Sequence, residues 1–140
     1  MTPRERGLAA LRAGDAGAAV SALREAVRQS PTDTAAWGGL GVALCRLGQP
    51  AEGLQALDHA LAMAPGQPGL HFNRGHALEL LRRTGEALEA YRQALTLAPN
   101  HTQSLAAVQR LTGTEPALTM PAVPAGPLPD FELPTAAAAY

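Results

Sequence analysis

"WGGLGVALCRLG", residues 37–48, sets four glycines into twelve positions, and whether it cradles a phosphate or lies in a helix decides how the chain is read. A phosphate loop of the Gly-x-x-x-x-Gly-Lys-Ser/Thr kind needs a lysine, and all eleven basic residues here are arginine. A dinucleotide turn needs Gly-x-Gly-x-x-Gly, but Gly39-x-Gly41 is followed by Leu44 where the third glycine belongs, and the preceding "PTDTAA" does not read as a strand. The helical reading remains. Trp37, Leu40, Gly41, Leu44 and Leu47 recur at i, i+3, i+4, i+7 and i+10, one face of a 3.6-residue period. Glycine inside a helix costs about 1 kcal/mol relative to alanine, so some close packing must offset it.

Outward from this stretch, the chain repeats itself. "GDAGAAVSALREAVRQSP" (14–31), "GQPAEGLQALDHALAMAP" (48–65) and "RRTGEALEAYRQALTLAP" (82–99) align without a gap at a period of 34 residues. Pro31, Pro65 and Pro99 close the units, Ala26, Ala60 and Ala94 recur five positions earlier, and Leu23, Leu57 and Tyr91 eight earlier. A second helical pattern precedes each segment and carries Gly7, Gly41 and Gly75, again 34 apart. Each unit therefore reads as two helices. Gly48-Gln49-Pro50 makes the turn of the middle unit, with glycine past one helix end and proline where the next begins, and the proline closing each unit stops its second helix.

These residues resemble the tetratricopeptide repeat family. Trp37, Leu40, Gly41 and Leu44 match its Trp-x-x-Leu-Gly-x-x-Tyr pattern with leucine for tyrosine, and the alanine, large apolar and proline positions follow on schedule. The resemblance covers roughly residues 1–99. The first unit departs from it with Pro3 and Arg6 at the tryptophan and leucine positions, which predicts a short or frayed first helix; the third has His71 and Arg74 there and Arg82 in place of the turn glycine. The resemblance implies an all-α fold, a right-handed superhelical solenoid of three helix-turn-helix repeats (about 1–33, 34–67 and 68–99). Residues 100–112 read as a capping helix, with Leu105, Val108 and Leu111 covering the last unit and Gln103, Gln109 and Arg110 facing water. Gly7, Gly41 and Gly75 are then expected where the two helices of a unit come closest.

The resemblance also implies a concave groove walled by the first helices, in which such proteins hold peptide. Its offsets assign Arg4, Leu8, Leu11 and Arg12 from the first unit, Gly38, Gly39, Val42, Cys45 and Arg46 from the second, Phe72, Asn73, His76, Glu79 and Leu80 from the third, and Arg110 from the cap. A subclass of these repeats clamps the terminal carboxylate of heat-shock chaperones with Lys, Asn, Asn, Lys and Arg. The matching positions hold Arg4, Leu8, Gly39, Gly69 and Asn73, so only Arg4 keeps the charge and that ligand is not expected.

Charge and composition narrow the alternatives. Eleven basic against twelve acidic residues leave a net charge of −1 with no basic run, so neither nucleic acid nor a membrane surface is expected as a partner. The N-terminal stretch lacks the apolar core of a signal peptide, and a cytoplasmic location is the expectation. Cys45 is the one cysteine, which excludes an internal disulfide, and it has no evident base to make it a nucleophile. His71 and His76 stand about 140° apart round a helix without a carboxylate or cysteine to complete a ligand set. No metal and no cofactor are expected. His71 is expected to pack between helices, His59 and His101 to be solvated.

Residues 114–140 hold six prolines and three acidic groups without a basic one, the composition of an extended polyproline-type tail or linker. Within it "LPDFELP" offers Leu128, Phe131 and Leu133 as apolar anchors around Asp130 and Glu132. Groove and segment match chemically, so the tail is expected to occupy a groove, its own or that of a neighbouring copy, with Phe131 as anchor and the two carboxylates near arginines such as Arg12 or Arg46. The chain as a whole reads as a non-enzymatic interaction module holding a protein or peptide partner. The rival reading is the N-terminal targeting or oligomerisation arm of a longer enzyme, such as the bacterial transferases that carry these repeats.

Overall fold

A computed structural model of the chain describes residues 1–113 and 131–133. The described residues form seven helices and no strand: α1 (Pro3–Arg12), α2 (Ala16–Gln29), α3 (Thr34–Arg46), α4 (Pro50–Met63), α5 (Pro68–Leu80), α6 (Thr84–Leu97) and α7 (Thr102–Thr112). Each odd helix packs antiparallel to the one that follows, as a short turn dictates. Consecutive pairs stack, α7 packs on α6, and α1 meets α3 as α3 meets α5, so the first helices of the pairs form one continuous wall.

Close packing at the repeated glycines explains why helix-weakening residues recur. A Cβ on Gly7 would overlap the Leu23 side chain, one on Gly41 would lie 2.5 Å from Leu57 Cγ, and one on Gly75 2.7 Å from Tyr91 Cε1. Leu23, Leu57 and Tyr91 are themselves fully buried. Each unit thus sinks one large side chain of its second helix onto a bare stretch of its first. Deleting such a side chain costs about 2–5 kcal/mol, more than the glycine loses in propensity.

The turns repeat as well. Gly14 and Gly48 take φ of 84° and 82°, and Arg82, at the same place in the third unit, takes φ of 64°. Glycine enters this left-handed region without a Cβ clash, whereas arginine is strained there. A second repeated feature ties each unit to the one before. Trp37 Nε1 donates to Pro31 O and His71 Nε2 meets Pro65 O, both at 2.8 Å. The Trp37 ring also stacks on His59 of α4, with centroids 4.1 Å apart and planes 4° from parallel. His59 is accordingly exposed but partnered, and His71 is half-buried on the loop that ends its neighbour unit.

At the two ends of the stack the structure refines the sequence reading. α1 is short, 10 residues against 13 in α3 and α5, but its start is tied down. Thr2 Oγ1 accepts from Glu5 N at 3.1 Å and Thr2 N donates to Glu5 Oε1 at 2.8 Å, a reciprocal cap that satisfies two otherwise unpaired donors and holds the Glu5 carboxyl below its ordinary range. On α7 the buried residues are Ser104 and Ala107, with Val108 and Leu111 packed beside them, while Leu105 is 43% exposed. The helix is rotated from the expected face because Arg110 turns inward to a carboxylate on α5. No helix among the described residues is long and apolar enough to cross a membrane.

Candidate functional site

The wall of α1, α3 and α5, closed at one end by α7, carries residues 131–133 against it. Phe131 is only 8% exposed. Its ring stacks on the His76 imidazole with centroids 3.9 Å apart, and the Arg46 guanidinium stands 6.0 Å from the ring centroid, within reach of a cation–π attraction. Arg46 is anchored there because its Nη1 also donates to Leu11 O at 3.3 Å. Beneath lies Phe72, fully buried, with its ring near those of His76, Tyr91 and His101. Leu133 packs against the same apolar cluster.

Among the described residues, main-chain contact with this segment is made by Asn73. Asn73, 2% exposed, donates from Nδ2 to Glu132 O at 3.0 Å and accepts from Glu132 N at Oδ1 at 3.1 Å. Its amide thereby does for one residue what a neighbouring β-strand does for a whole segment. The Glu132 carboxylate meets His101 Nε2 at 2.6 Å. His101 is the N-cap of α7 and accepts from Ser104 N at Nδ1; with Nδ1 accepting, the ring proton sits on Nε2 and donates to Glu132. Room for the carboxylate comes from Gly69, where a Cβ would fall 2.6 Å from Glu132 Oε1.

Other residues assigned to the groove have different surroundings. Cys45 is buried beside α4, its Sγ over the bare backbone of Gly53, and burial pushes its thiol up to about 12, so it is protonated at neutral pH. A Cβ on Gly39 would meet Leu8 Cδ2 at 2.8 Å and one on Gly38 would meet Leu70 Cδ2 at 3.0 Å; these glycines face the neighbouring helices rather than open space. Leu8, Leu11 and Val42 are buried in the same half of the wall, and Arg12 lies exposed at the end of α1.

Glu79 and Arg110 pair with each other. Arg110 Nη1 and Nη2 donate to the two Glu79 oxygens at 2.8 Å each, and Tyr91 Oη donates to Glu79 Oε1 at 2.6 Å. Burial alone would raise the Glu79 pKa, but the hydrogen bonds from Arg110 and Tyr91 outweigh it and hold the carboxyl below its ordinary value. Burial, reinforced by that carboxylate, pushes the Tyr91 phenol well up. The cluster is fully satisfied and ties α5, α6 and α7 together.

The expected arginine partner of Glu132 is corrected by this geometry. Glu132 goes to His101 and Asn73, and Arg46 lies over the Phe131 ring, because the glycine at position 69 leaves its space on the α7 side. His101, expected to be solvated, is half-buried. Leu128 and Asp130 lie outside the described residues. Among the described residues no group of three His, Cys, Asp or Glu side chains is placed to hold a metal ion.

No curated protein sequence matches the chain significantly. Solved structures do. The TPR domain of Arabidopsis OM64 superposes with a TM-score of 0.76 at 25% identity, over 80% of this chain and 93% of that one. YrrB, described as a TPR protein with an unusual peptide-binding site, gives a TM-score of 0.70 at 25% identity over 72% of this chain and 52% of that one. The first TPR domain of Spaghetti (RPAP3), solved bound to the HSP90 peptide SRMEEVD, gives a TM-score of 0.75 over 79% of this chain and 90% of that one. At 20% identity this last likeness is one of fold alone. Two profiles described as tetratricopeptide repeat match residues 10–73 and 69–101. With the 34-residue period, the paired helices and these matches, the chain belongs to the tetratricopeptide repeat family.

Proposed function

We propose that the chain is a non-enzymatic interaction module whose α1–α3–α5 wall holds an extended peptide, and that its own residues 131–133 act there as a stopper which a partner displaces. The observation that carries this reading is the pair of hydrogen bonds exchanged between the Asn73 amide and the main chain of Glu132 beside the enclosed Phe131 ring. Two of the likenesses, Spaghetti solved with an HSP90 peptide and YrrB described as having a peptide-binding site, support the class of activity without naming a ligand for this chain. A side-chain amide that reads main chain, flanked by an aromatic slot, suits any extended segment presenting one ring at the right place.

Magnitudes favour a weak stopper over a permanent strap. Burying one phenylalanine is worth about 1.5–3 kcal/mol, too little for tight binding between separate molecules. A short tether supplies an effective concentration of about millimolar, and residues 114–130 are such a tether. The contact is then populated in the resting chain and yields to a partner that makes a few more contacts.

The test uses a peptide of residues 126–136 titrated against a chain ending at residue 113, by calorimetry or fluorescence anisotropy. The expected result is saturable binding that is lost with Phe131→Ala in the peptide. Equal, negligible binding of both peptides rejects the stopper and leaves residues 114–140 as a linker.

A further inference from the structure

We infer that the groove selects its partner by an internal tripeptide, an aromatic residue followed by glutamate and leucine, carried in an extended segment of another protein. This rests on the peptide-holding reading above and adds which peptide is held. Phe131, Glu132 and Leu133 each meet a different kind of surface. The ring stacks on the His76 imidazole and has the Arg46 guanidinium 6.0 Å from its centroid, an environment that rewards a flat π face over an aliphatic chain. The carboxylate fits over Gly69 and reaches His101 Nε2 at 2.6 Å. The leucine packs on the apolar cluster.

Glutamate is read by both length and charge. An aspartate is one carbon shorter and leaves the His101 donor outside hydrogen-bond distance. A glutamine keeps the length but gives up the charge-assisted bond, roughly twice as strong as a neutral one. Recognition is also independent of a chain terminus. Asn73 pairs the N–H and C=O of the same residue, and Leu133 is followed by Pro134, which restricts the residue before it to extended backbone. A partner motif with a proline after the leucine is therefore shaped in advance for this seat. Gly69 and Asn73 here serve a side-chain carboxylate and a main-chain unit.

The test uses the full chain bearing Phe131→Ala, which weakens the resident segment without touching the wall. Fluorescent peptides of residues 126–136 are compared as parent, Phe131→Ala, Glu132→Gln, Glu132→Asp and C-terminally amidated forms. His101→Asn and Gly69→Ala are introduced in the protein; asparagine preserves the helix cap and alanine favours the helix, so thermal unfolding should report intact folds. The amidated peptide should bind like the free acid. Glutamine and aspartate peptides should each bind about tenfold more weakly or worse, as expected for loss of a hydrogen bond to a charged group. His101→Asn should weaken the parent peptide more than the glutamine peptide, so that the two losses do not add. Gly69→Ala should weaken the parent peptide independently of His101.

The inference is overturned if the glutamine peptide binds within twofold of the parent, or if amidation abolishes binding. Either result leaves the peptide-holding reading standing. Parent and Phe131→Ala peptides binding alike, or neither binding, would sink both.

Discussion

The guanidinium of Arg110 on α7 grips both carboxylate oxygens of Glu79 on α5 at 2.8 Å. Glu79 has a side chain 9% exposed, and Arg110 one 29% exposed. Removing the arginine strands a nearly buried carboxylate beside Tyr91. Breaking a fully buried pair costs about 3–5 kcal/mol, and the partial exposure of Arg110 lowers the expectation for Arg110→Ala to about 1–3 kcal/mol. Urea unfolding checks it; a loss below a few tenths of a kcal/mol would show that water reaches Glu79 freely.

The same carboxylate sets a pH dependence. Its folded pKa lies below the ordinary value of 4.5, so the unfolded chain binds its proton first as the solution is acidified. The stabilisation is complete above about 4.5 and is lost as pH falls through the lower folded value. Comparing unfolding free energies at pH 7, 4 and 3 for the parent and Glu79→Gln should show a steeper acid loss in the parent. Parallel curves would contradict the assignment.

Trp37 is half-buried, hydrogen-bonded to Pro31 O and stacked on His59. Because part of the ring faces water, Trp37→Ala should cost about 2–3 kcal/mol, less than the 3–5 typical of a fully buried site. His59→Ala removes only the stacked lid and should cost about 0.5–1 kcal/mol. The order of the two, read by thermal unfolding, is the check; a larger effect at His59 would reverse the account of that face.

Arg82 occupies the left-handed conformation that Gly14 and Gly48 hold in the other units. A non-glycine residue costs about 1–2 kcal/mol there, and glycine returns part of that gain as extra unfolded-chain entropy. Arg82→Gly should therefore stabilise the protein by about 0.5–1 kcal/mol. A net loss would mean that the exposed arginine makes a compensating contact.

Cys45 is buried and its thiol is pushed up to about 12 by that burial. A disulfide reagent at pH 8 should leave it unmodified in the folded protein and react fully once denaturant is added. Rapid labelling without denaturant would place the thiol on an open surface.

What the sequence revealed and what it hid divide along one physical line. The 34-residue period, the helix pairs and the sites of close approach at Gly7, Gly41 and Gly75 were legible, because each repeats and so is stated three times in the chain. Side-chain direction is stated once. Cys45 turns towards α4 because Gly53 leaves room for it, and nothing in the spacing of α3 announces that. α7 shows its small residues to the bundle because Arg110 finds Glu79, a partner 31 residues away. His101 as the donor to Glu132 was hidden for the same reason: a cap residue and a distant acid share no periodicity. The cue that could have been weighed is the glycine at position 69, an absent side chain in the unit whose neighbouring Asn73 carries a buried amide.

The single N–H of Glu132 that ends on Asn73 Oδ1 is also a clock. An amide hydrogen held this way trades with solvent deuterium only while its bond is open, so its rate, divided by that of a free amide of the same sequence, gives the fraction of time the seat stands empty. On the proposed stopper role, a displacing partner should speed the exchange of that hydrogen while those in the helices keep their pace. If the proposed stopper holds, that hydrogen is, at a natural position and without a label, a gauge of how often the groove is vacant.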